Sequence, residues 1–94
     1  MKIPSQFSLA GATWKVVEDH AMTDMGQCDS ERYIIRLRSD LSQQAKETTF
    51  CHEVQHAIRY TLGHDEHSEI EVDSHGNLLH QFLVQFANAQ KGKK

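Results

Sequence analysis

His52-Glu53-Val54-Gln55-His56 sets two imidazoles four residues apart, with a carboxylate beside the first. On a helix, positions i and i+4 lie one above the other about 6 Å apart, so both rings can reach one ion while Glu53 projects toward a water on that ion. The chemistry of such a set is metal-assisted hydrolysis, in which the ion lowers the pKa of water toward about 7 and a carboxylate takes the proton. A catalytic zinc commonly takes three protein ligands, so a third must come from outside the motif.

The flanking residues place the motif on a helix. Ser39-Asp40-Leu41-Ser42 offers capping side chains, and no Pro or Gly follows until Gly63, a good C-terminal stop. About five turns result. Around this helix Phe50, Cys51, Val54, Ala57, Ile58, Thr61 and Leu62 cluster on one side, His52 and His56 on the other, and Glu53 at its edge. The histidine pair therefore faces away from the helix's own apolar stripe. After the polar turn His64 to Ser68, a second helix is expected from about Ser68 to Asn88. Val72, Leu79, Phe82, Leu83 and Phe86 form its buried face, while Glu69, Asp73, Gly76 and His80 form a separate polar stripe.

An antiparallel helix pair brings that polar stripe level with His52 and His56. Asp73 is the first expectation for the third ligand, because it neighbours Gly76, where the missing side chain lets the helices approach. Glu69, one turn earlier, is the second. His64 and His67 are further candidates from the turn, although Arg59 and Leu62 break the H-E-x-x-H-x-x-G-x-x-H spacing.

Ahead of the helices, Phe7-Ser8-Leu9-Ala10 and Thr13 to Glu18 around Gly11-Ala12 read as a hairpin. Gly26 to Asp29 and Arg32 to Arg38 read as a second, with Tyr33, Ile35 and Leu37 on one face. The expected fold class is α+β: a small antiparallel sheet of three to four strands packed on two helices. It forms one domain over residues 1–90, followed by a basic, disordered tail at 91–94.

Composition agrees. The chain has 94 residues, 38% hydrophobic and 24% charged, as a folded globular protein does. Its net charge of −3 argues against nucleic acid as a partner. No apolar run approaches the roughly 18 residues that cross a bilayer, and Met1 to Ser5 has no signal-peptide stretch, so a cytoplasmic location and no membrane partner are expected. Cys28 and Cys51 fit no C-x-x-C spacing and read as free thiols.

Thr49 to Gly63, followed by Val72-Asp73-Ser74-His75-Gly76-Asn77-Leu78-Leu79, resembles the small phage and prophage zincins related to the ImmA/IrrE-type metallopeptidases. Their pattern runs roughly T-x-x-H-E-x-x-H-A-I-x-Y-x-L-G, then E-x-x-A-N-x-L on the next helix. The resemblance implies a minimal zincin-like domain with Zn2+ held by His52, His56 and, in the place of the family's Glu, Asp73, which is one methylene shorter. It implies Glu53 as the base that passes a proton from water to the leaving amine of a peptide or protein substrate. Tyr60, one turn beyond His56, and His80, on the Asp73 stripe, are the candidate donors to the oxyanion. The expected function is a zinc-dependent metallopeptidase. The alternative is a non-catalytic, metal-stabilised binding or regulatory protein of the same phage type.

Overall fold

Ala10 and Gly11, with φ of 48° and 84°, make the two-residue turn that closes the first hairpin; positive φ at both central positions matches the twist of the flanking strands. The computed structural model describes residues 1–64 and 66–91, without the side chains of 90 and 91; the expected basic tail lies outside the described residues from 92 onward. The elements are β1 (Gln6–Leu9), β2 (Ala12–Asp19), β3 (Gly26–Asp29), β4 (Ile34–Arg38), α1 (Gln43–Thr61) and α2 (Glu69–Lys91).

The class is α+β, as expected, but the sheet is mixed and not wholly antiparallel. Its order is β1-β2-β4-β3, and β2 pairs with β4 in parallel, Val16 opposite Ile35. The reason lies in the segment after β2. Asp19 Oδ1 accepts from the Ala21 amide at 2.8 Å and turns the chain outward, so that the polar Gly-Gln-Cys-Asp strand β3 takes the edge. The apolar β4 then returns between β3 and β2, where both of its sides are paired. Arg38 pins the crossing segment by donating from Nη1 to the Thr23 carbonyl at 2.6 Å.

Tyr33 also departs from expectation. It ends the β3–β4 turn at φ 56° and is 46% exposed, its ring edge-on to Trp14 at 5.3 Å. Asp29 holds this turn, accepting from the Glu31 and Arg32 amides, which is why Arg32 belongs to the turn and not to the strand.

Trp14, Ile35 and Leu37 of the sheet close over Phe50, Cys51 and Ala57 of α1 to form the core. Ser42 caps α1, its Oγ accepting from the Ala45 amide at 3.2 Å. The helix stops in a Schellman arrangement: the His64 amide reaches the Arg59 carbonyl at 2.8 Å and the Gly63 amide that of Tyr60 at 3.0 Å, with Gly63 at φ 81°. Leu62, expected on the apolar side, is the C-cap and is exposed.

Ser68 caps helix α2, its Oγ accepting from the Glu71 amide at 3.3 Å. It runs back along α1 through Val72, Gly76, Leu79, His80 and Leu83, with Val72 fully buried. Phe82 and Phe86, expected to be buried, are 56% and 54% exposed. His80 already meets Glu47, one turn from the start of α1, so Phe86 lies past the end of its neighbour, while Phe82 is turned off the seam. No helix among the described residues is long and apolar enough to cross a membrane.

Candidate metal centre

His52 and His56 stand on the face of α1 that meets the first turn of α2, their ring centroids 5.1 Å apart. Glu69, the first residue of α2, bridges them. Its Oε1 lies 3.2 Å from His52 Nε2 and its Oε2 lies 3.1 Å from His56 Nε2. The three side chains each offer one ligand atom within 4.8 Å of the other two.

This placement follows from the turn. The Schellman stop and the Ser68 cap reverse the chain within a few residues, so the opening residue of α2 lands beside the second half of α1. Asp73, one turn further on, falls beside His52 alone, with Oδ1 3.5 Å from Nδ1. Of the residues expected to complete the site, the structure thus brings Glu69 to both imidazoles and Asp73 to the far nitrogen of one. Gly76 has the expected role: a Cβ there would lie 2.9 Å from His52 Cα and 3.0 Å from His52 N.

The donor set fits zinc. Ligands at about 2.0–2.1 Å in a tetrahedron stand about 3.3 Å apart, close to the two nitrogen–oxygen separations found. Two imidazoles and a carboxylate are a borderline-soft N/O set of the kind zinc accepts. Burial pushes the His56 imidazole below its ordinary range despite the opposing pull of Glu69, and His52 and His67 add to the depression. A neutral ring with a free lone pair is the form that binds a metal.

Glu53 is 7% exposed and packs beneath the start of β3. Gly26 makes the room: a Cβ there would lie 2.5 Å from Thr49 Cγ2 and 3.1 Å from Glu53 Oε2. Burial raises the Glu53 carboxyl to about 7; His52 opposes the rise, while Glu69 and Asp24 reinforce it. A cleft of 540 Å³ opens beside it, walled by Asp24, Met25 and Gly26 from the sheet edge and by His52, Glu53 and Asp73 from the helices. Asp24 and Gly26 are the residues that sequence reading missed. A glycine opening a strand was the available signal, since it marks a close approach.

The two expected oxyanion donors part company. Tyr60 stays at the centre, its ring 6.5 Å from that of His56 and 5.3 Å from that of His67. His80 is buried elsewhere, its Nε2 2.9 Å from Glu47 Oε1. His64 is exposed and engages through its backbone carbonyl, which lies 2.7 Å from His67 Nδ1. The cysteines are free. Burial, aided by Glu53 and Asp29, pushes Cys28 up to about 12, and burial with Glu47 pushes Cys51 to about 11, so neither is poised as a nucleophile.

No family model matches the chain, and no curated protein or solved structure matches it either.

Proposed function

We propose that the protein is a small zinc-dependent peptidase, with His52, His56 and Glu69 as the metal ligands and Glu53 as the general base. The observation that carries this reading is the pair of Glu69 oxygens, one on each imidazole Nε2. With lone pairs on both Nε2 atoms, the two rings and the carboxylate form a three-ligand set that a shared cation would bind. When bound, zinc supplies a Lewis acid that polarises the scissile carbonyl and lowers the pKa of the attacking water.

The chain's own residues do the rest. Glu53, held near neutrality by burial, takes the proton of the water and hands it to the leaving amine; a base whose pKa lies near the working pH suits both halves of that task. Asp73 faces Nδ1 of His52 from 3.5 Å and orients the ring, as a carboxylate behind a zinc-bound imidazole does. The cleft beside Glu53 admits an extended peptide segment, and Tyr60, its ring 6.5 Å from that of His56, is the proposed donor to the oxyanion. This reading makes the chain a cytoplasmic member of the phage-type zincins that its motif resembles.

The test combines metal analysis with hydrolysis. Wild-type protein reloaded with zinc should hold about one ion per chain and cleave an unstructured protein substrate. Zinc without cleavage would transfer the assignment to a metal-stabilised binding protein, and failure to hold zinc would remove both readings.

A further inference from the structure

Helix α2 carries apolar surface that its own chain does not cover. Val72, Leu79 and Leu83 turn toward α1 and the core, but Leu78, Phe82 and Phe86 are 62%, 56% and 54% exposed. Spaced four apart, these three form one ridge spanning about 80° of the helix circumference, and the rings of Phe82 and Phe86 meet edge-on with centroids 4.9 Å apart. At about 100 Å² of free surface each, they expose on the order of 300 Å², the size of patch that is often functional on a small protein. The charges along α2 select what fits it. The helix opens on Glu69 and Glu71 and closes on Lys91, and the sequence continues Gly92-Lys93-Lys94. Such a helix complements a copy of itself running the opposite way, because each acidic end then meets a basic one and the two macrodipoles oppose; a parallel pair sets like charges side by side.

We propose that the ridge of Leu78, Phe82 and Phe86 pairs with the same ridge of a second copy of this chain, the two α2 helices running antiparallel about a two-fold axis at Phe82. Phe82 then meets its own copy, and Leu78 of each chain meets Phe86 of the other, because both lie four residues from the axis. Glu71, which is 65% exposed, lies within about 20° of Phe82 around the helix and comes level with the basic end of the second copy. Two such ridges make the apolar centre of an interface on the order of 1,000 Å² in total, so a reversible dimer and not an obligate one is expected. Asp73 and Asn77, which wall the cleft beside Glu53, lie on the other flank of α2, so pairing leaves the cleft open. The dimer does not depend on the zinc reading.

Sedimentation velocity over a dilution series tests the pairing. The mass of the wild-type protein should rise from 10.8 kDa toward twice that value as its concentration approaches about 0.1 mM. Phe82→Glu and Leu78→Glu each place a charge in the apolar centre and should raise the dissociation constant more than about tenfold; both side chains are more than half exposed, so urea unfolding of the monomers should change little. Gln44→Glu, an exposed position on α1, should leave the dimer intact. Orientation is read by cross-linking: under mild oxidation Phe82→Cys should link to itself, and Leu78→Cys should link to Phe86→Cys in an equimolar mixture. A wild-type protein that stays monomeric to about 0.1 mM overturns the proposal, as does a Phe82→Glu or Leu78→Glu variant that dimerises as before. Self-linking of Leu78→Cys in place of the mixed product overturns the antiparallel register. Binding of the monomer to anionic lipid vesicles that is lost in Phe82→Glu would assign the ridge to a membrane surface instead.

Discussion

Gly76 of α2 rests on the backbone of His52: a Cβ added there would sit 2.9 Å from His52 Cα. The two helices thus approach closely at His52, the first of the imidazoles proposed to bind metal, and the spacing that seats Glu69 across from His52 and His56 depends on a missing methyl group.

Gly76→Ala tests that dependence. Helix propensity alone would favour alanine by about 1 kcal/mol. The clash is with backbone, which cannot swing aside, and overpacking of this kind costs about 1–3 kcal/mol. Net destabilisation in urea unfolding, with weaker zinc binding, is expected; a more stable protein with undiminished affinity would show that the helices do not meet as described.

Separate substitutions distinguish Glu69 from Asp73. Asp73→Asn removes a charge behind His52 and should weaken zinc binding within the roughly 10–100-fold typical of outer partners. Glu69→Ala removes an oxygen from both imidazoles and should exceed that range. The order of the two losses, read by chelator competition, decides the ligand; a larger loss at Asp73 would restore it to that position.

Much of this was legible in the sequence because the helices carry their own punctuation. Ser42, Gly63 and Ser68 sit where capping chemistry requires them, and the His52–His56 pair lies where a helical repeat puts it. The ligand choice was harder, since Glu69 and Asp73 share a stripe and only the tightness of the turn selects between them. The parallel β2–β4 pairing was hidden for a different reason: local patterns fix strands and turns, but not which side of β2 the returning chain occupies. His80 looked chemical on its stripe, yet the same helix register carried it about three turns past Glu69, to Glu47.

His80→Ala follows from that last placement. The substitution leaves the buried Glu47 carboxylate without its ring partner, although Gln43 still donates to it at 3.1 Å. Hydrogen bonds from His80 and Gln43 and the neighbouring amino terminus hold Glu47 below its ordinary range against the effect of burial. Loss of about 1–3 kcal/mol of stability is expected, with zinc affinity and any hydrolytic rate of the folded protein unchanged. A large fall in turnover without loss of stability would return His80 to the oxyanion role.

Glu53→Gln is expected to abolish hydrolysis while sparing zinc, because the proposed mechanism makes Glu53 the base and not a ligand. General-base contributions of about 10²–10⁴-fold set the size of the loss. A variant that cleaves at the wild-type rate would remove Glu53 from the mechanism.

The same substitution has a signature in stability that needs no metal. Burial raises the Glu53 carboxyl from an ordinary 4.5 to about 7 in the folded chain. Below about pH 4.5 the group is protonated in both folded and unfolded states and carries no penalty. Between about 4.5 and 7 the unfolded chain has given up a proton that the folded chain retains, so stability falls as pH rises; above about 7 the penalty is constant. Glutamine cannot ionise, so Glu53→Gln removes this component. In zinc-free protein at pH 8 the variant should be the more stable by on the order of 2 kcal/mol, a figure reduced for solvent in the adjoining cleft. Taking the difference between the two proteins cancels the pH dependence contributed by His56, whose depressed pKa acts in both. Urea denaturation of both at pH 4, 6 and 8 checks the claim: the gap should open from low to high pH, and parallel curves would mean that Glu53 is solvated as an ordinary carboxylate.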